Sequence, residues 1–224
     1  MSRARILEGI RATLNASSGA TVRRRSVAQR LAQPLAHPRP RRAMREGAER
    51  VAQFKQFQSA LGVDVIDVAS AGEVPLAIAG YLAALDMPQR LRCGSDPQLA
   101  AFPWDSAASL VVDRGAGEEG DAAGLSRAIA GVAETGTLVL ASGSGSPVTV
   151  GLLPETHVVV LRADAIVASY EEACARVLEA NAGAMPRTLN LVTGASRTGD
   201  IGGKIVMGAH GPRRLAVILI ASEV

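Results

Sequence analysis

Aromatic residues make up only 3% of this 224-residue chain, and it has just two cysteines. Two lone thiols, Cys93 and Cys174, cannot by themselves frame a zinc site or an iron–sulfur cluster. They are expected to be buried and inert rather than disulfide-bonded. No apolar run approaches the roughly 18 residues that a membrane helix needs. The longest, Leu215 to Ala221, is strand-sized. The start lacks the apolar core of a secretory signal, so a cytoplasmic protein is expected. His157 and His210 have no recognisable metal-ligand spacing, so no metal site is expected.

The usual nucleotide loops are missing too. Ser142-Gly143-Ser144-Gly145-Ser146 follows an apolar run, but Pro147 intervenes and Val148 stands where a dinucleotide loop needs its third glycine. Gly194 and Gly199 have phosphate-loop spacing, but Asp200 occupies the lysine position, and a carboxylate there repels phosphate. No Gly-x-Ser-x-Gly nucleophile turn occurs.

What is present is a small-residue composition, 48% apolar with 23 glycines. This length supports one full core but hardly two. The charge is uneven. Residues 1–60 carry twelve Arg and one Lys against three acids, a balance of +10, and the remainder is net −7. The basic balance therefore belongs to the N-terminal arm. Such an arm suits nucleic acid or an acidic partner, but Phe54 and Phe57 alone offer little base stacking. A solvated arm is the plainer reading.

Along the chain, Ser2 to Leu14 reads as a short amphipathic helix with Ile6, Leu7, Ile10 and Leu14 on one face. Residues 15–42, with Pro34, Pro38 and Pro40, read as a linker rather than a packed element. Arg45 to Leu61 is expected to be a helix that Gly62 stops. Strands are expected at Val63–Val68, Leu91–Cys93, Ala108–Val112, Thr137–Ala141, His157–Leu161, Leu189–Thr193 and Leu215–Ile220. Helices are expected at Glu73 to Leu85 and Ser169 to Asn181. Gly115–Gly124 reads as a solvated loop, and Leu125 to Val132 as either helix or strand. The strands are continuous apolar runs, which suits a mainly parallel sheet covered on both faces. The boundaries expected are a basic arm over 1–44 and a folded domain over 45–224.

Three clusters in the second half look like one site. They are Ala133-Glu134-Thr135-Gly136-Thr137, Thr193-Gly194-Ala195-Ser196-Arg197-Thr198-Gly199-Asp200 and Gly208-Ala209-His210-Gly211-Pro212-Arg213. Glycines permit sharp turns and close backbone approach. Hydroxyl, guanidinium and carboxylate groups supply convergent polar contacts. Arg197 suits a carboxylate or phosphate, with Thr135, Thr137, Ser196, Thr198 and Arg213 as further ligand contacts and Asp200 orienting Arg197. His210 suits acid–base work near neutral pH. The alternatives are structural: Arg197 paired with Asp200 or Glu134, His210 capping a turn beside Pro212, and Glu134 paired with a nearby Arg. His157, at a strand start, reads as structural.

These clusters, with Leu152-Leu153-Pro154, His157 and the opening Ile6-Leu7-Glu8-Gly9-Ile10-Arg11, resemble the LUD-domain family, in particular its lactate utilization protein C group. The resemblance is strongest from about residue 125 onward. The sequence departs where Ala195 replaces an expected Pro, where Gly202 replaces a common acid, and where the Ser142–Val150 loop lacks a basic residue. The resemblance implies a Rossmann-like α/β fold similar to ribose-5-phosphate isomerase and the CoA transferases. It makes Glu134 an analogue of the loop glutamate that does base or covalent chemistry there. It also implies an accessory role in oxidising L-lactate to pyruvate, with iron–sulfur clusters carried by partner proteins and no cofactor evident in this chain. A stand-alone transferase or isomerase acting on an anionic small molecule, and a nucleic-acid binder using the basic arm, are the alternatives.

Overall fold

A computed structural model describes residues 2–16, 19–33 and 38–221, without the side chains of 15, 16, 20, 200 and 201. The chain divides into two units, 1–39 and 40–224. The first holds helices α1 (Arg3–Ala16) and α2 (Ala20–Ala32). The second helix corrects the linker reading of residues 15–42. Its Ala, Arg, Gln and Leu residues are good helix formers, and the prolines that suggested a linker all lie beyond its end. The expected face of α1 is solvent-exposed at Ile6, Leu7, Ile10 and Leu14.

The second unit runs α3 (Gly47–Ala60), β1 (Asp64–Val68), α4 (Val74–Ala84), β2 (Arg90–Cys93), α5 (Pro97–Ala100), β3 (Val111–Arg114), β4 (Ala123–Arg127), β5 (Ala130–Val132) and β6 (Thr137–Ala141). It continues with β7 (Thr156–Arg162), β8 (Ile166–Val167), α6 (Tyr170–Ala180), β9 (Leu189–Val192), β10 (Arg197–Ile201), β11 (Lys204–Met207) and β12 (Arg214–Ile220). The main sheet has the order β1-β12-β7-β4-β2-β3, and every pairing in it is parallel. A second sheet, β8-β5-β6-β9, is mixed.

The continuous apolar runs serve two faces at once, because successive side chains of a strand point to opposite sides. On β7 and β12, Val158, Val160, Ala216 and Ile218 pack with Ile78 and Leu82 of α4. Val159, Leu161, Val217 and Leu219 face the other way, toward Phe54 of α3 and Leu138 and Leu140 of β6. The second sheet turns Val132 and Val139 outward onto Ala173 and Val177 of α6. The layers are therefore α4, the parallel sheet, α3 with the second sheet, and α6. That is the expected α/β class with helices over both faces of a mainly parallel sheet.

Local chemistry fixes the ends. Ser169 starts α6, with Glu171 and Glu172 in its first turn, as a helix dipole prefers, and the Glu172 carboxylate accepts from the Ala168 amide at 2.9 Å. The ambiguous stretch from Leu125 to Val132 is strand on both sides of a break: β4 joins the parallel sheet and β5 the mixed one. The loop expected to run to Gly124 ends two residues sooner, because Ala123 and Gly124 pair with Thr156 and His157. The strand expected at Ala108–Val112 begins later, since Leu110 closes a turn onto Ala107. Cys93 is buried and Cys174 half-buried, both free. Burial pushes the Cys93 thiol up, partly offset by Arg114, as expected of an unreactive thiol.

Candidate functional site

The last turn of α3 is the floor on which the first two clusters meet. The turn between β5 and β6 carries Glu134 and Thr135 and ends at Gly136, with φ +67°. A Cβ at Gly136 would come within 2.7 Å of the Phe57 side chain. Glycine is therefore required there by both conformation and space. The Gly136 carbonyl accepts from the buried Gln58 amide at 2.8 Å. Gly194, also at positive φ, lies against Leu61 one turn further along.

Four hydroxyls tie the clusters together. The Thr137 Oγ1 lies 2.7 Å from that of Thr135, 2.8 Å from the Tyr170 hydroxyl and 2.7 Å from the Thr193 Oγ1. Thr135 donates to Tyr170 at 3.0 Å. Thr137 is fully buried, so its hydroxyl has no water to fall back on. Replacing Thr137 by Val keeps the shape and removes the hub. The expected cost is about 1–2 kcal/mol, read as a lower denaturant midpoint with an unchanged slope. An unmoved midpoint would mean that the hydroxyls do not hold the junction.

The charged residues have local partners. Glu134 is 7% exposed and accepts from Arg42 Nε at 3.3 Å. The Arg42 carbonyl in turn accepts from Gln53 Nε2 at 2.9 Å. Arg197 donates through Nη2 to the Leu61 carbonyl at 2.6 Å. It thus places a cation at the C-terminal end of α3, where the helix dipole favours one. The third cluster joins the second through Ser196. The His210 amide donates to Ser196 Oγ at 3.3 Å, the Ser196 amide to Pro212, and the Gly208 amide to the Ser196 carbonyl. Gly208 sits directly over the stem of Arg213. Arg213 and Arg214 both approach Glu155 Oε1, at 3.8 and 3.1 Å.

Cluster one is therefore joined to cluster two at Thr137–Thr193, and cluster two to cluster three at Ser196. Among the described residues, no hydrogen bond or ion pair links Glu134 to Arg197 or His210. Thr198 lies in the antiparallel hairpin β10–β11, opposite Val206. The side chain of Asp200 is outside the described residues. His157 is buried, 3.0 Å from Ser126 Oγ, and packs under Gly151. Burial drives its pKa down to about 4, so it is neutral near pH 7. Among the described residues, no group of three His, Cys, Asp or Glu side chains is placed to hold a metal.

Two participants carry no motif signal in the sequence. Arg42 lies 92 positions before Glu134, and Tyr170 opens a helix of otherwise ordinary pattern. The hairpin β10–β11 did leave a trace, because Gly202-Gly203 sits between Ile201 and Ile205. A Gly-Gly pair with positive φ at both positions is a favoured hairpin turn.

These features define an α/β protein with a parallel sheet, a second sheet over one face, and glycine-rich turns gathered at the end of α3. Residues 117–220, which contain all three clusters, match the LUD domain family. Beyond that match, the chain is similar to proteins named lactate utilization protein C. It is 31% identical over 125 residues to the protein of that name from Macrococcus caseolyticus, covering 54% of this chain and 52% of the relative. It is 34% identical over 94 residues to the one from Bacillus subtilis, covering 41% and 39%. The matches thus span about half or less of these relatives' lengths. A DUF162 family protein from Deinococcus radiodurans, known from a crystal structure, superimposes with a TM-score of 0.59 at 27% identity, over 77% of this chain and 97% of that one.

Proposed function

We propose that this protein is an accessory component of an L-lactate utilization system. The observation that carries the reading is the similarity of the chain to proteins named lactate utilization protein C, together with the LUD-family match of residues 117–220, which hold all three clusters. Converting lactate to pyruvate removes two electrons and two protons, and the electrons need an acceptor. In this reading iron–sulfur partner proteins provide it. Two features of the chain support the division of labour: its two cysteines are too few to hold a cluster, and Cys93 is buried beside Arg114. Glu134 is engaged by Arg42 and nearly buried, which favours a structural role for it over that of a free catalytic base.

Deleting the gene is expected to abolish growth on L-lactate while leaving growth on pyruvate intact, with recovery when the chain is restored. The isolated protein is expected to show no L-lactate oxidation with an artificial electron acceptor. Unimpaired growth of the deletion strain, or turnover by the pure chain, would overturn the proposal.

A further inference from the structure

We infer that the protein has a second ligand site, separate from the three clusters, which takes an organic phosphate of nucleotide size. It lies at the carboxyl ends of β4, β7 and β12, the edge of a parallel sheet where ligands of open α/β folds bind. A cleft of about 630 Å³ opens there, within the roughly 300–1,000 Å³ range of small-molecule sites. A three-carbon acid would leave most of that volume empty.

Three guanidinium groups from different elements line the cleft: Arg127 ends β4, Arg162 ends β7, and Arg176 stands on α6. Asp96 pairs with Arg127 and Asp164 with Arg162. Each Arg is held in place. Arg127 donates through Nε to Asp96 at 2.8 Å. Asp96 is 8% exposed and also accepts from the Gln98 amide at 2.8 Å. Arg162 forms a forked pair with Asp164, and Arg176 Nη1 donates to the Asp164 carbonyl at 3.2 Å. Among the described residues, both terminal amino groups of Arg127 and the Nε and Nη2 of Arg176 are left without a protein acceptor. Donors held by neighbouring groups suit phosphate oxygens without further ordering. The lining also includes the apolar side chains of Phe102 and Ile220, a surface for a ring rather than for bare inorganic phosphate, and the amide side chain of Gln98.

None of these residues lies in the three clusters, so the inference does not rest on the lactate reading. The fold supplies its own reporter. Trp104, the only tryptophan, has its ring centroid 6.0 Å from that of Phe102, and its indole N–H donates to Leu99 at 2.8 Å. Titrating the full chain with ADP is expected to change Trp104 fluorescence saturably. Arg176→Gln and Arg127→Gln are each expected to weaken the response about tenfold or more. Pyrophosphate should bind more weakly than ADP, since it offers nothing to the apolar side chains, and L-lactate should give no saturable change. Arg176 lies on the outer helix, so its variant remains informative if loss of Arg127 strands Asp96 and harms folding. Absence of saturation with ADP, an unchanged response in a folded Arg176→Gln variant, or equal binding of L-lactate would each overturn the assignment.

Discussion

Replacing Phe54 by alanine is expected to destabilise the second unit by about 3–5 kcal/mol and to lower its melting midpoint by on the order of 10 °C. Phe54 is fully buried on α3. It packs with Val63, Val159, Leu161 and Val217, the face of the parallel sheet turned away from α4. Its ring also fills the space beside Gly131, where a Cβ would stand about 3.0 Å from it. Truncation leaves a ring-sized void between two rigid layers, and close-packed interiors collapse into such voids only partly. The consequence extends beyond stability. The same helix presents Phe57, Gln58 and Leu61 to Gly136, Gly194 and Arg197. Amide exchange at Gly136 and Gly194 should therefore quicken together in the variant. Leu76, which is 56% exposed on α4, provides the control: Leu76→Ala should shift the midpoint little. If Phe54→Ala melts within about 2 °C of the parent, α3 is not the anchor described above.

The parallel sheet was legible because a strand buried on both faces must be apolar throughout, and Val158 to Leu161 and Leu215 to Ile220 satisfy that without help from distant residues. What followed from pairing was not legible. Leu125 to Val132 has no decisive period, and only its separate partners, β7 for β4 and β6 for β5, settle its form. The α2 helix was hidden by prolines that lie beyond its end. At the candidate site the glycines and hydroxyls were readable as clusters, since each borders a strand and breaks its apolar run. Their partners were not, because Arg42, Leu61 and Tyr170 come from elements that share no motif with them. Arg197 shows the limit well. The sequence offers Asp200 or Glu134 for its charge; among the described residues Glu134 goes to Arg42 instead, and Arg197 meets a helix-end carbonyl. The cleft arginines were invisible for the same reason: 49 positions separate Arg127 from Arg176, and only the order of the strands brings them to one edge.

Lowering the pH from 7 to 5 is expected to cost the fold about 2 kcal/mol through His157 alone. Its ring is buried, and with no carboxylate to offset the loss of water its folded-state pKa falls to about 4. In the unfolded chain the imidazole titrates near its ordinary 6.5. The unfolded state thus takes up the proton first, and stability is drained as pH falls between those two values. Above about 6.5 the neutral ring carries no penalty, and below about 4 both states are protonated and the loss levels off. The paired carboxylates behave differently. Asp113 and Asp164 are held below the usual range by hydrogen bonds from Arg90 and Arg162, so what they contribute is lost only at pH near 4 and lower. Between 6.5 and 4.5 the loss through His157 therefore precedes any loss from these two carboxylates. Thermal melts of the parent across that window should lose on the order of 5 °C by pH 5. His157→Gln should start from a lower midpoint, since its amide cannot fill the ring's place under Gly151, yet lose much less between pH 7 and 5. The slope, not the starting value, is the diagnostic. An equal slope in the variant would mean that protonation of His157 does not drive the loss and that another group titrates in its place.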